Sequence, residues 1–332
     1  MARVFSGIQP SGELHIGNYL GAVQNWVTLQ HQHDCLFCVV DLHAITQPYD
    51  VSSLAQRTIE MAIGLFAVGL DPERAIVFVQ SHVPEHSELN WLLNTVTPLG
   101  ELERQTQFKD KAQRQESIPA GLLNYPVLQA ADVLLYRATL VPVGEDQLQH
   151  LELMRELARR WNARFANGGG FTFPEPQAIL STAKRVLGLD GQAKMSKSLG
   201  NTIGLFDTPE TIWEKLKPAA TDPARVTRKD PGNPEICNIF TIHQGFSPPA
   251  TQQLVAHNCR TAGWGCLDCK RVLADNMIAT LTPLRERALE LRAEPGRVSD
   301  TLRAGAAKAR ALARATLARV RRCMGLLEGV EA

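Results

Sequence analysis

The hydrophobic positions in the first third of the chain follow two alternating patterns. Short apolar runs at residues 4–8, 36–42 and 75–80 predict buried strands. Residues 14–29, 53–68 and 85–96 instead place apolar side chains at helical spacing. Strands that alternate with helices of this length predict βαβ units and a parallel sheet. Such a sheet binds ligands at the carboxyl ends of its strands.

The pattern changes beyond residue 101, where it predicts mostly helices, broken at Pro119, Pro126 and Pro142. After residue 208 we expect only helices. The fold class is therefore α/β, with a parallel sheet followed by an all-helical region. One late helix carries a stripe of mostly small residues at steps of three and four, which predicts close packing against another element: Leu302, Ala306, Ala309, Ala313, Thr316 and Val320.

The composition is that of an ordinary globular protein. Hydrophobic residues make up 44% of the 332 residues and charged residues 21%, and this length favours two domains over one. No apolar run reaches the roughly 20 residues of a membrane span. The first residues lack the order of a signal peptide. We therefore expect a cytoplasmic protein with no membrane partner.

The charge is balanced overall but uneven along the chain. The formal net charge is +1, yet residues 285–322 hold eleven Lys or Arg against four Asp or Glu. A basic tract of this kind can face nucleic acid phosphates. A solvated helix face is the alternative, and charge alone favours neither.

Two short motifs are suited to phosphate chemistry. The first, His15-Ile-Gly-Asn18, stands at the start of the first helix, directly after the first strand. A helix N-terminus attracts phosphate, and Gly17 lets a nucleotide approach the backbone. The second motif, Lys194-Met-Ser-Lys-Ser198, lies on a loop with Gly191 as a plausible hinge. Its two ammonium groups can neutralise a leaving pyrophosphate.

Together, in this order, the two motifs resemble the signatures of class I aminoacyl-tRNA synthetases. Further segments, such as residues 5–12, 100–104 and 141–147, look like bacterial tryptophanyl-tRNA synthetases. The likeness is clear from residue 3 to about residue 221 and weaker beyond. The common first signature ends in a second histidine, and Asn18 is the variation seen in the tryptophan branch.

The resemblance implies a domain plan and a set of ATP-binding residues. It predicts a Rossmann-like catalytic domain at 1–185, the lysine-rich loop and a connection at 186–204, and a helical anticodon-binding domain at 205–332. The catalytic residues would be His15, Asn18, Lys111, Lys194 and Lys197. The residues that would bind ATP with Mg²⁺ are Gln9, Pro10, Ser11, Gly17, Asn18, Gly144, Glu145, Asp146, Val186, Lys194, Met195, Ser196, Lys197 and Ser198.

Asp132 is the residue that the sequence singles out for substrate specificity. It lies in an apolar run, and a carboxylate there can accept the indole N–H that a phenyl ring lacks. By resemblance, the pocket would also contain Phe5, His43, Tyr125, Gln129, Val141, Val143 and Gln147. Gln129 departs from the family pattern, because the tryptophan branch usually has methionine there and tyrosine-specific relatives often have glutamine.

Four of the seven cysteines form a constellation in the predicted helical domain. These four are Cys237, Cys259, Cys266 and Cys269, and the last two form a C-x-x-C. Four thiolates can hold Zn²⁺ or an iron–sulfur cluster. A subset of bacterial tryptophanyl-tRNA synthetases carries a similar motif that binds a [4Fe–4S] cluster. The resemblance therefore favours iron–sulfur, with zinc as the alternative.

The sequence thus predicts a ligase that joins L-tryptophan to tRNA(Trp) at the expense of ATP and acts as a homodimer. Two alternatives stay open. The first is a tyrosine–tRNA ligase of the same class, which Gln129 allows. The second is a non-catalytic relative that binds tRNA and senses redox state through the cysteines. The intact His15, Asn18, Lys194 and Lys197 argue against the second.

Overall fold

A parallel sheet forms the centre of the protein. The computed structural model describes residues 1–106, 108–109, 117–144, 147–166, 170–180, 186–196 and 199–327. Within these ranges, five parallel strands form one sheet in the order β3-β2-β1-β4-β5, which confirms the predicted α/β class. The strands are β1 (Arg3–Ile8), β2 (Asp34–Val39), β3 (Ile76–Val79), β4 (Leu140–Val143) and β5 (Gln177–Leu180).

The strand order reverses beside β1. From β1 the chain continues to β2 and then to β3 on one side, and β4 and β5 lie on the other side. Strands β1 and β2 pair along their whole length, from Arg3 opposite Asp34 to Ile8 opposite Val39. Strand β4 joins the other side of β1, with Leu140 opposite Val4. In open α/β sheets the crevice at such a reversal, outside the carboxyl ends of the strands, is the usual ligand site.

Helices make up most of the remaining described secondary structure. The first helical stretch has three parts, α1 (Ile16–Asn18), a π-helical turn (Tyr19–Val23) and α2 (Gln24–Leu29). The other helices before β5 are α3 (Asp41–Ala44), α4 (Val51–Ala67), α5 (Glu85–Asn94), α6 (Leu99–Glu103), α7 (Ala120–Leu135) and α8 (Leu148–Phe165). Those after β5 are α9 (Pro209–Leu216), α10 (Asn238–Phe246), α11 (Pro249–Arg260), α12 (Cys266–Ala293) and α13 (Pro295–Cys323).

Strands β4 and β5 were not predicted, although the described chain beyond residue 101 is otherwise mostly helical, as expected. Each strand has four residues, too few for a clear alternating pattern. Strand β4 contains Pro142, and a proline normally argues against a strand. Strand β5 lies at the edge of the sheet and exposes both of its end residues. Strand β3 is equally short, but its four residues are all aliphatic or aromatic, whereas β4 contains Pro142 and β5 begins with a polar residue.

The late helices share a hydrophobic core with the sheet. One cluster of buried residues includes Val4 and Val77 of the sheet together with Leu273 and Met277 of α12 and Leu302 of α13. Helix α12 also lies along α4. The chain after residue 205 thus packs directly on the sheet domain over a wide apolar surface.

Helix α13 crosses the outer edge of β3. Its Leu302 belongs to the same cluster as Val77, and its Ala309 belongs to a second cluster with Phe78 on the opposite face of the sheet. Gly305 lies between them, and a Cβ atom there would stand 1.9 Å from the carbonyl oxygen of Val77. The small residues of the predicted stripe are all buried, which confirms close packing.

Part of the basic tract forms ion pairs with acidic residues of α4 and α5. Arg310 and Arg314 both donate to the buried carboxylate of Glu85, at 2.9 and 3.2 Å. Arg292 donates to Glu60 of α4 at 2.9 Å, and Arg321 pairs with Glu88 of α5. These guanidinium groups hold α12 and α13 against the sheet domain. In the described part of the chain, no helix is both long and apolar enough to cross a membrane.

Candidate active site

The first motif lies at the strand reversal, as an ATP site requires. Strand β1 ends at Ile8, and a turn follows in which Ser11 N–H donates to Gln9 carbonyl at 2.8 Å. Gly12 has a φ of 119°, a conformation that favours glycine. The chain then enters α1 at Ile16. The predicted ATP-binding residues on this segment are Gln9, Pro10, Ser11, Gly17 and Asn18.

His15 and Asn18 cap this helix reciprocally. The backbone N–H of Asn18 donates to Nδ1 of His15, and the backbone N–H of His15 donates to Oδ1 of Asn18, both at 3.3 Å. Because Nδ1 accepts, the proton of the neutral imidazole resides on Nε2, which is then a donor. The amide nitrogen of Asn18 is also a donor. Both side chains thus offer N–H groups next to a helix start.

The second motif lies on a hairpin that contacts the first motif. Leu187 and Lys194 form an antiparallel bridge, and Gly191 between them has a φ of +69°. Lys194 is exposed and Met195 is buried. A Cβ atom on Gly17 would lie 3.3 Å from the sulfur of Met195, so the structure brings the two motifs together.

The segment after this hairpin pairs with the entry to α1. Ile16 N–H donates to the carbonyl of Ile203 at 3.0 Å, and Leu205 N–H donates to the carbonyl of Leu14 at 2.8 Å. The side chain of Asn201 accepts from Ser196 N–H at 2.8 Å. Backbone hydrogen bonds therefore hold the segment that follows the hairpin beside the first motif.

The remaining predicted phosphate and nucleotide residues are partly described. Gly144 is exposed directly after β4, and Val186 is buried at the base of the hairpin. Their contacts with ATP stay a prediction. The predicted residues that lie outside the described part of the chain are Lys111, Glu145, Asp146, Lys197 and Ser198.

The predicted tryptophan-binding residues come from adjacent elements. Phe5 of β1 and Val141 of β4 are buried on neighbouring strands, and Val143 is half-buried at the end of β4. Helix α7 contributes Tyr125 and Asp132, both buried. Phe5 and Val141 belong to one buried cluster, and Val143 packs against it.

Asp132 is the centre of a buried polar network. It is 2% exposed, and its Oδ2 lies 2.8 Å from Nε2 of His43. Its Oδ1 lies 2.6 Å from Nδ1 of His86 and accepts from Nε2 of Gln80 at 2.7 Å. The other nitrogen of His86 lies 2.7 Å from the hydroxyl of Tyr136. The carboxylate thus has two partners on one oxygen and one on the other within the described residues.

This network keeps Asp132 ionised. Burial by itself raises the pKa of the carboxyl, but hydrogen bonds from His43 and His86 and the charges of these residues outweigh burial and lower it to about 2. The pKa of Tyr136 is raised instead, first by burial and then by the nearby acidic groups. A charged acceptor inside an apolar pocket is the result.

Two further hydrogen-bonded groups contain predicted pocket residues. Nε2 of Gln129 donates to Oε1 of Gln147 at 3.3 Å, so the unusual glutamine faces another predicted pocket residue. The hydroxyl of Tyr125 lies 2.6 Å from Nε2 of His150, whose Nδ1 lies 3.0 Å from Oε1 of Gln105. Tyr125 and Gln147 are therefore held in defined orientations.

Sequence reasoning missed several residues of this site. His43 was predicted as a pocket wall, and the structure gives it a direct hydrogen bond to Asp132. Gln80, His86 and Tyr136 were not predicted at all. Gln80 directly follows β3, so its place at the carboxyl end of a parallel strand was a usable signal. His86 had no such signal, because it sits within α5.

The four predicted cysteines line one cavity of about 20 Å³. Arg225 lines it too, and its Nε is buried without a hydrogen-bond partner in the described part of the protein. Burial first, and then the charges of the other three cysteines, raise the pKa of Cys269 to about 12. Among the described residues, no three His, Cys, Asp or Glu side chains stand in the arrangement of a metal site.

Comparison with known proteins agrees with these features. The sequence profile of the class I tRNA synthetases for tryptophan and tyrosine (W and Y) matches residues 1–282. The chain belongs to this family. A tryptophan–tRNA ligase of Deinococcus radiodurans is 55% identical, covering 99% of this chain and 100% of that protein.

Solved structures of family members have the same fold. The tryptophanyl-tRNA synthetase of Campylobacter jejuni, solved with ADP and tryptophan, is 36% identical and superposes with a TM-score of 0.87, covering 98% of this chain and 100% of that one. The tryptophanyl-tRNA synthetase of Mycoplasma pneumoniae is 35% identical, with a TM-score of 0.85 and 98% coverage of both chains. The helical region of this chain thus has counterparts in these relatives.

Proposed function

We propose that this family member is a tryptophan–tRNA ligase whose substrate specificity rests on Asp132. It activates L-tryptophan with ATP and transfers the tryptophanyl group to tRNA(Trp). The tryptophan–tRNA ligase of Deinococcus radiodurans is similar over the whole of both chains and supports this function. ATP accompanied by Mg²⁺ is the co-substrate, and the two motifs suited to phosphate support this.

The observation that carries the specificity is the unfilled acceptor capacity of Asp132. A carboxylate offers about four lone-pair positions, two on each oxygen. Among described residues, His86 and Gln80 take both positions on Oδ1, and His43 takes one on Oδ2. One charged acceptor position is left for a single N–H group. Indole has one N–H and no polar acceptor, so it matches this vacancy.

The reaction follows from the arrangement of the two motifs. The tryptophan carboxylate attacks the α-phosphorus of ATP, and the bond to pyrophosphate breaks, which gives tryptophanyl-adenylate. His15 and Asn18 would donate to phosphate oxygens, and Lys194 would neutralise charge on the leaving pyrophosphate. The terminal ribose hydroxyl of tRNA then takes the tryptophanyl group and releases AMP. Positioning and charge stabilisation dominate both steps.

Pyrophosphate exchange tests the substrate assignment. We expect exchange with tryptophan and much weaker exchange with tyrosine or with benzothienylalanine, in which sulfur replaces the indole N–H. In Asp132→Asn one acceptor oxygen becomes a donor that faces other donors. The kcat/KM for tryptophan should then fall roughly 10- to 100-fold, since a hydrogen bond to a charged group contributes about 1.5–3 kcal/mol. The kcat/KM for benzothienylalanine should fall clearly less, because it has no indole N–H to lose.

Each alternative function has its own outcome in this assay. Exchange that is faster with tyrosine than with tryptophan would establish the tyrosine ligase that Gln129 allows. No exchange with any amino acid, from protein that still binds tRNA, would establish the non-catalytic alternative. If Asp132→Asn lowered kcat/KM equally for tryptophan and for benzothienylalanine, Asp132 would not act by accepting the indole N–H.

We also propose that Cys237, Cys259, Cys266 and Cys269 hold a metal centre, with a [4Fe–4S] cluster preferred over zinc. The four cysteines line one cavity of about 20 Å³, which places them together. The preference for the cluster over zinc rests on the resemblance of their spacing to the iron–sulfur subset of the family. The centre would cross-link a loop-rich segment and take no part in the ligase reaction.

Metal analysis of protein purified without oxygen tests this centre. We expect about four irons per chain and broad visible absorbance. Cys266→Ser should abolish both, whereas Cys323→Ser, a matched change in α13 outside the cavity, should leave both intact. One zinc per chain without colour would replace the cluster by a structural zinc. Protein without metal would show that the four cysteines only pack in the core.

The homodimer and the cytoplasmic location are part of the same proposal. Large apolar side chains exposed on α5 and α6, Trp91 at 69% and Leu99 at 59%, offer apolar surface for a partner subunit. Light scattering should give twice the chain mass, and Trp91→Glu should shift it towards the monomer. A monomer at all concentrations would contradict the dimer.

A further inference from the structure

Asn238 holds the base of the hairpin that carries Lys194. It is the first residue of α10, and it is 8% exposed. Its Oδ1 accepts from Leu187 N–H at 3.2 Å, and its Nδ2 donates to the carbonyls of Leu187 at 3.2 Å and Gly188 at 2.9 Å. Both amide hydrogens and the amide oxygen are thus used on backbone some fifty residues away. An interaction of this kind fixes both the position and the orientation of that backbone.

Leu187 and Gly188 form one side of the hairpin, and the Lys194 motif forms the other. Leu187 bridges Lys194 directly, and Gly188 N–H donates to the carbonyl of Ala193 at 2.7 Å. A displacement of Leu187 therefore passes to Lys194 through paired backbone. The Lys194 side chain itself is exposed, so the backbone at its root decides where its ammonium group can reach.

We propose that Asn238 is a positioning residue for adenylate formation, acting through the backbone of Leu187 and Gly188 on Lys194. This inference rests on the proposed role of Lys194 at the pyrophosphate. Burial of Asn238 alone would serve stability, and its hydrogen bonds would then matter equally for every activity of the protein. A positioning role instead affects the chemical step that needs Lys194. A displacement of about 1 Å can cost roughly 100-fold in rate.

The direct test is a double-mutant cycle with Asn238→Ala and Lys194→Ala in pyrophosphate exchange. Asn238→Ala alone should lower kcat roughly 10- to 100-fold and change the KM for tryptophan less than about two-fold. With Lys194 already replaced, the same change should cost less than about two-fold, because the group that Asn238 positions is absent. Asn276→Ala is the matched control, since Asn276 donates to Val272 within its own helix.

Folding and function are separated by a second variant and a second measurement. Asn238→Asp keeps the size and the acceptor but loses both donors, and it faces two carbonyl oxygens with a charge. Tryptophan binding without ATP, measured by equilibrium dialysis, should stay normal in every variant that has folded. If Asn238→Ala does not fold, the cycle with Asn238→Asp decides the question.

Two results would overturn the proposal, and they differ from each other. If the Asn238 change lowered kcat equally with and without Lys194, Asn238 would serve general stability only. The proposed role of Lys194 would then be unaffected. Normal exchange in Lys194→Ala alone would remove the proposed role of Lys194, and the Asn238 proposal would fall with it. Exchange with tryptophan by the unmodified protein remains a separate measurement of the proposed function.

Discussion

Asp132 shows how single side chains create a charged group in an apolar pocket. Its partners His43, Gln80 and His86 come from three different elements, and each supplies a donor to the carboxylate. The hydrogen bonds offset the cost of burying the charge. The same network ties the specificity of the site to the stability of the fold.

The stability of the protein should therefore depend on Asp132 in a pH-dependent way. Hydrogen bonds offset burial and lower the pKa of Asp132 from 3.8 to about 2, so its ionised form stabilises the folded state by about 2–3 kcal/mol. This contribution is complete above about pH 4 and is lost as the pH falls through about 2. The difference in unfolding free energy between the unmodified protein and Asp132→Asn should narrow as the pH falls below about 4.

Chemical denaturation of both proteins at several pH values measures this gap. Leu134→Met, a change of similar size in the same helix, is a control whose gap should not vary with pH. A gap for Asp132→Asn that widened on acidification would show that the carboxyl is not held ionised in the folded protein.

Residues were predictable where a local motif or a resemblance marked them. His15, Gly17 and Lys194 belong to short motifs with a physical reason for each position, and the structure brings these motifs into contact. His86 could not be predicted, because its partner Asp132 lies 46 positions away and no local spacing links them. A hydrogen-bond network assembled by the fold leaves no periodic trace in the chain.

Elements differ in how much of their structure a pattern reveals. The mostly apolar runs of β2 and β3 predicted these strands well, whereas β4 is interrupted by Pro142 and β5 begins with a polar residue. The predicted helix at 14–29 contains a π-helical turn, Tyr19–Val23, that periodicity did not indicate. This turn meets α10, since a Cβ atom on Gly245 would lie 2.6 Å from Leu20, and Tyr19 stacks on Phe246 at 6.3 Å.

The contact between α13 and β3 should fail when Gly305 gains a side chain. Gly305→Ala would place its Cβ 1.9 Å from the Val77 carbonyl oxygen, which is backbone and cannot rotate away. We expect a loss of about 1–3 kcal/mol or more, the usual cost of overpacking. Gly296→Ala in the same helix meets nothing within 4 Å and should be neutral or slightly stabilising.

Thermal and denaturant unfolding of the two variants compares these positions. The prediction requires Gly305→Ala to melt clearly below the unmodified protein while Gly296→Ala does not. Similar midpoints for both variants would mean that α13 can move away from β3 at little cost.

The molecule as a whole is more continuous than the three predicted segments suggest. The division at residues 185 and 204 remains a prediction, and the buried cluster that includes Val4, Leu273 and Leu302 extends across it. Sequence reasoning assigned the cysteines and the Lys194 loop to different segments. In the structure, Cys237 lines its cavity and the next residue, Asn238, holds the base of that loop. Separation along the chain was a poor guide to distance.

A shared core predicts that the sheet and the late helices unfold together. Differential scanning calorimetry should show one transition, with the calorimetric enthalpy close to the van't Hoff enthalpy. Independent domains would instead give two transitions, or a calorimetric enthalpy well above the van't Hoff value. Cys35→Ser, a core change in β2, should shift the whole transition rather than split it.

The position of α13 on β3 also bears on how the protein is made. Gly305 follows Val77 by more than 200 residues, so at about 5–20 residues per second the ribosome delivers the covering helix roughly 10–45 s after the strand. Until then the outer side of β3 presents unpaired N–H and C=O groups, a template on which another nascent chain can add a strand. The growing chain therefore has a period of exposure that ends only when its last long helix emerges, and slow translation or early termination would prolong it.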